Sequence, residues 1–301
     1  MSSHSYIEDN RNKNIFININ GRLFLRNKAK ISVFDSGFLL GDGVWEGIRL
    51  HHSKLVFIEN HLERLFKSAI GISLQIPFSK DEIIDEIYKV LDKNSMNDDV
   101  HIRLIFSRGN KITPYQNPKA NEGPINFVII PEHKKTNPLT YKKGINIGRV
   151  PNIRPNESIL SPQYNTLSKL NCILASIEAN KLGYDEGIMN DINGNISTCN
   201  STNLFFIKND EVLTSTGEYC LNGITRSKAI SICKDNKIDC IEKNFTFSDV
   251  ANCDEAFVTG TFAGIIPVAQ LESRKLKSTN TNSLVNKIRN LYNKEIQNYI
   301  G

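Results

Sequence analysis

The chain has 301 residues, 40% hydrophobic and 23% charged, with a formal net charge of +5. That balance is ordinary for a globular protein, and the charge is too dispersed for a nucleic-acid binder, which clusters its basic residues against phosphate. No apolar run comes near the roughly 18 residues of a membrane span, so neither nucleic acid nor membrane is an expected partner.

From the N-terminus, the opening "MSSHSYIEDNRNKN" has no apolar core and does not read as a secretory leader. "NIFININGRLFL" alternates apolar and polar residues around Asn20-Gly21, a hairpin signal. "GVWEGIRLHHSKLVFI" reads as a second hairpin turning at His52-Ser53. "NHLERLFKSA" has helical spacing, and Ser79 opens a capping box ahead of a further helix. "VHIRLIF" and "INFVII" are short strands. Residues 1–132 therefore read as a small α+β unit. "PEHKKTNPLTYKKG" is polar, with two prolines, and residues 133–144 read as a linker. Residues 145–301 follow as a larger unit of short strands with helices near Thr225–Cys233 and Asn282–Ile300. The six cysteines (172, 199, 220, 233, 240 and 253) form no CxxC pair. They read as reduced thiols of a cytoplasmic protein, with no disulfide framework and no metal site.

Within "YNTLSKLNCILASIEA", Leu167, Leu170, Leu174 and Ile177 recur at helical spacing and predict one apolar face. Lys169 lies off that stripe, where the stretch alone predicts a solvated side chain. Two turns offer anion sites. "CLNGITRSKAISIC" places Gly223 ahead of a helix whose first N–H groups are free to meet an anion, with Thr225 adding a hydroxyl. "VTGTFAGIIP" is a small-residue turn with Thr261 as donor. Either turn alone is equally a capped helix or a tight turn.

Taken together, "LLGDGVWEGIRL", "ENHLERLFKSA", "HIRLIFSRG", "GYDEGIMNDINGNIS", "NGITR" and "EAFVTGTFAGIIPV" resemble, in order and spacing, the class IV, fold-type IV pyridoxal-phosphate enzymes. That family includes branched-chain and D-amino-acid aminotransferases and aminodeoxychorismate lyases. The resemblance runs from about Phe16 to Ala269. It implies an α+β, two-domain fold like that of D-amino-acid aminotransferase, with pyridoxal 5′-phosphate between the domains and a homodimer completing the site. It also implies that Arg64, Ile224, Thr225 and Thr261 hold the cofactor phosphate, and that Leu40, Trp45 and Arg103 lie in the substrate pocket.

The chain departs from the family twice. The lysine that bonds the cofactor falls at Tyr164 or Asn165 by this alignment, and neither is a lysine. Lys169 stands where branched-chain enzymes have a tyrosine beside the cofactor, some one and a half helical turns from the usual anchor, and is the candidate to replace it. Thr198 stands where the family has the glutamate that pairs with the ring nitrogen. A threonine can donate to a neutral nitrogen but supplies no counter-charge. The expected function is transamination between an amino acid, branched-chain first, and a 2-oxo acid. A lyase such as aminodeoxychorismate lyase, or a non-catalytic or cofactor-independent relative keeping the phosphate pocket, is the alternative.

Overall fold

A computed structural model describes residues 3–301. The turn chemistry read from the sequence closes the hairpins of the first sheet. Asn20 and Gly21 take positive φ values of 52° and 80°, and His52 and Ser53 take 46° and 61°. Paired positive φ values match the twist of the strands they join. The six strands lie antiparallel in the order 22–25, 16–19, 126–133, 100–107, 43–51 and 54–55. Helices α1 (Ser36–Leu40), α2 (Ile58–Gly71) and α3 (Lys80–Lys93) accompany this sheet. Ser79 and Glu82 form the expected capping box of α3. Leu62 and Leu65 of α2 and Ile87 of α3 bury themselves against Ile48, Leu104 and Phe106 of the sheet.

The second sheet is mixed. Its order is 196–199, 186–190, 145–153, 264–271, 255–260, 203–208, 211–214 and 240–242, with 274–275 paired to 264–271. Strand 145–153 runs parallel to both of its neighbours. A third cluster joins the halves: Val56 and Phe57 pack with Ile288, Phe205 and Phe257, the last two stacked at 4.6 Å between ring centroids.

Two details differ from the sequence reading. Residues 133–144 are ordered: Lys135–Thr136 pairs with Tyr6–Ile7, and Pro138–Lys143 forms α4, capped by Asn137. Asn followed by Pro at the first helical position is a start signal that the polar composition hid. Helix α5 begins only at Leu170 and ends at Lys181. Its packed residues are Ala175 and Ala179, while Leu170, Leu174 and Ile177 are 67%, 45% and 43% exposed. Small side chains let the helix lie close to strands 145–153 and 186–190. A Cβ on Gly187 would stand 3.3 Å from the Ala175 carbonyl and 2.6 Å from Val150 Cγ1. The leucine stripe faces away from the core.

Candidate active site

Between the two sheets lies a cavity of about 460 Å³. Trp45, Arg64 and Arg103 line it from the first half of the chain, and Lys169, Thr198, Ile224, Thr225 and Thr261 from the second. Leu40, exposed on α1, lies outside this lining.

One end is built for an anion. Helix α6 (Ile224–Asp235) starts behind Gly223 with no side-chain cap on its first N–H groups. Gly223 is needed there, because a Cβ would come within 2.3 Å of Asn203 Oδ1. Thr225 Oγ1 lies 3.5 Å from the hydroxyl of Tyr292, which burial pushes up to about 12 and so keeps as a phenol. Thr261 sits in the turn between strands 255–260 and 264–271, which Gly264 closes at φ 67°. Arg64 is aimed by a buried acid. Its Nε and Nη2 donate to the two Glu46 oxygens at 2.8 and 2.7 Å, and Nη1 donates to the Asn222 carbonyl at 3.1 Å. His61 Nδ1 lies 2.7 Å from the same carboxylate. Burial opposes ionisation of Glu46, but Arg64 and His61 outweigh it and hold its pKa below the usual carboxylate range. Glu46 and His61 are residues that the motifs gave no reason to single out; their pairing with Arg64 appears only once α2 lies on strand 43–51.

The middle of the cavity holds Lys169. Its Nζ lies 5.7 Å from the Trp45 ring centroid, and the Arg103 guanidinium stands 4.1 Å over the same ring. Burial, with Arg154 and Arg64 near by, lowers the Lys169 pKa to about 8. The backbone leading to it is not helical, which corrects the helical-turn geometry expected from the sequence. Asn165 and Leu167 instead run beside strand 43–51: Trp45 N–H donates to the Asn165 carbonyl at 3.0 Å, and Leu167 N–H donates to the Gly43 carbonyl at 2.9 Å. Asn165 Nδ2 also donates to the Trp45 carbonyl at 2.7 Å. Tyr164 turns toward α2, its ring lying where a Cβ of Gly71 would be.

At the far wall the Thr198 hydroxyl donates to the Thr202 carbonyl at 2.7 Å. Its hydrogen is therefore spent within the protein, and toward the cavity it presents lone pairs; this reverses the donor role expected for it. The remaining wall carries His4, His101, Lys134 and Phe262. Burial, with Arg49 and Lys134 adding to it, holds His101 well below the usual imidazole value.

A family model described as "Amino-transferase class IV" matches residues 43–271, and the chain belongs to that family. A branched-chain-amino-acid aminotransferase-like protein 2 of Arabidopsis thaliana is 34% identical over 271 residues, which are 89% of this chain and 48% of that protein; the chain thus spans about half of that relative. A Methanocaldococcus jannaschii protein is 33% identical over 274 residues, 91% of this chain and 93% of its own length; its assignment as a branched-chain-amino-acid aminotransferase is itself provisional. Among solved structures, the branched-chain aminotransferase of Thermoproteus uzoniensis with norvaline superposes with a TM-score of 0.84 at 26% identity, over 95% of this chain and 96% of that one. A second branched-chain amino acid aminotransferase, solved with pyridoxamine 5′-phosphate, gives 0.86 at 25%, over 95% of each chain.

Class IV aminotransferases use pyridoxal 5′-phosphate, and the cavity fits that group. Two buried lining atoms, Thr259 Oγ1 and Asn165 Oδ1, have no protein partner and are left for a ligand. The uncapped start of α6 and the Arg64 guanidinium supply what a phosphate dianion requires. An amine with a pKa lowered to about 8 stands within the same lining.

Proposed function

We propose that the protein transfers an amino group from a branched-chain amino acid to a 2-oxo acid, with Lys169 in place of the family's usual lysine. The observation that carries this reading is the convergence of a desolvated lysine and an uncapped helix start on one cavity. When bound, the cofactor supplies an aldehyde for the amino group and an electron-withdrawing ring. The chain's own residues do the rest. Arg64, Thr225, Thr261 and the N–H groups at Ile224 would hold the phosphate, and Thr198 would face the ring. Lys169 Nζ would be the amine that meets the cofactor's aldehyde and would hold and move the substrate α-proton, work for which a pKa of about 8 suits an amine at neutral pH. Arg103 receives a substrate carboxylate, and the Trp45 face packs the side chain. Two units, with the boundary at residues 133–144, enclose the cofactor in a cytoplasmic homodimer. A second copy brings its Leu40 to the mouth of the site and covers Phe34 and Phe38, which are 43% and 71% exposed. The relatives' names support the branched-chain donor, as does the apolar Trp45 wall.

The test is to load purified protein with pyridoxal 5′-phosphate and supply leucine, valine or isoleucine with 2-oxoglutarate. Glutamate formation with all three is expected. Pyruvate release from added aminodeoxychorismate, without an acceptor, would instead assign a lyase, and failure to bind the cofactor would assign a relative that kept only the cradle.

A further inference from the structure

The cavity has two buried glutamates beside it, and they are treated differently. Glu46 is fully buried and is met by Arg64 and His61. Glu186, on strand 186–190, is 1% exposed, and no arginine or lysine among the described residues pairs with it. Its oxygens are met by hydroxyls: Thr202 Oγ1 donates at 2.6 Å, Ser201 Oγ at 2.9 Å, and Ser3 Oγ also donates. All three hydroxyl residues line the cavity. The carboxylate therefore stands one layer of hydroxyls behind the wall. A buried carboxylate without an arginine or lysine partner is costly, and here three hydroxyl donors are what hold it.

The field of Glu186 reaches that wall. Burial raises the Cys199 thiol well above its ordinary value, and the Glu186 charge raises it further; the same charge opposes the burial-driven lowering at His4. Both groups line the cavity. Thr198 belongs to the same patch, its hydrogen held by the Thr202 carbonyl and its lone pairs free.

We propose that Glu186 supplies the negative charge facing the cofactor's ring nitrogen, acting through Ser201 and Thr202, while Thr198 Oγ1 accepts the hydrogen that the nitrogen carries. Glu186 is a positioning residue in this arrangement: it touches neither substrate nor cofactor and fixes where a proton rests. The ring nitrogen stays protonated although the residue beside it is neutral. This rests on the proposed cofactor chemistry, and the experiment separates the two.

Pyridoxal 5′-phosphate labelled with 15N in the ring is bound to the purified full-length protein, with affinity followed by titration and the ring nitrogen by NMR at neutral pH. The wild type is expected to show a protonated ring nitrogen. Glu186→Gln, which keeps shape and removes charge, is expected to move that resonance to the unprotonated position while cofactor affinity changes by less than about threefold, because the phosphate cradle is untouched. Glu186→Asp is expected to restore protonation. An unprotonated nitrogen in the bound wild type, or an unchanged resonance in Glu186→Gln, overturns the proposal; the wild-type spectrum decides even if the glutamine variant fails to fold. If the wild type does not bind the cofactor, the reading beneath the proposal falls and the proposal falls with it.

Discussion

The α6 end and the Thr198 end of the cavity are built from different kinds of parts. The α6 end relies on backbone, an uncapped helix start and a tight turn, joined by one arginine held by a buried glutamate. The Thr198 end is built from side chains, namely Lys169, Thr198 and a set of hydroxyls. Backbone geometry constrains residue type through glycine and helix position, so departures there break the fold. Side chains that only face a ligand can be replaced if charge and reach are preserved. The α6 end is thus fixed by backbone, while the Thr198 end is set by side chains.

Four tests probe the contrast, the first with two readouts, the strongest first. Lys169→Ala removes the amine, and the transamination rate should fall by about 10²- to 10⁴-fold, the usual worth of a positioned proton-transfer group. Borohydride reduction and peptide mapping of the wild type should label Lys169. A label on Lys134, the other lysine in the lining, would move the assignment across the cavity. Arg64→Ala attacks the opposite end. Cofactor affinity should drop by about 2–4 kcal/mol, since a charge-assisted contact is lost, and Glu46 is left buried without its main partner. Titration of the cofactor-free variant measures it, and unchanged affinity would mean that the phosphate is held elsewhere.

The third measurement uses pH. The Lys169 pKa is lowered from 10.5 to about 8, so its amine is increasingly free as pH rises through 8. The rate of covalent cofactor capture, followed by stopped-flow absorbance, should climb through that value and level off above it. The same shift has a stability sign. Between about 8 and 10.5 the unfolded chain binds the proton that the folded chain releases, so this group adds to the stability of the cofactor-free protein as pH rises across that window. A capture rate flat from pH 7 to 9 would place the reacting amine elsewhere. The smallest effect is at Thr259. Thr259→Val removes a buried hydroxyl that has no protein partner. Cofactor affinity should fall by about 0.5–1.5 kcal/mol if the ligand uses that oxygen, while the melting temperature of the cofactor-free protein should hold or rise. Equal affinity in the two proteins would show that the ligand leaves the hydroxyl alone.

The hairpins, α2, α3, α6 and α8 (Leu284–Ile300) were legible because each combines period and punctuation, as at Asn20-Gly21 and Ser79. The anion end was legible for the same reason: Gly223 and Gly264 mark its backbone. Helix α5 was misjudged because periodicity reports where apolar residues lie and not which face is covered; alanines 175 and 179 gave no contrast. Its start was hidden because Asn165 to Leu167 follows strand 43–51, a long-range pairing that no local pattern encodes. Glu186 and Glu46 were invisible for a related reason. Their significance lies in partners that only the fold brings to them, Ser201 and Thr202 for Glu186 and Arg64 for Glu46.

The strap from Asn165 to Leu167 has a mechanical consequence. Trp45, Val44 and Gly43 tie it to the first sheet, while α5 packs on the second. Lys169, at the junction of strap and helix, is anchored to both halves of the molecule. Any rocking of one half against the other strains the few residues between these anchors, and the amine moves with the wall that carries Trp45. The amides of Trp45 and Leu167 should exchange with solvent deuterium together and later than those of the helix end near Lys181, so their shared rate reads out how often the cavity opens.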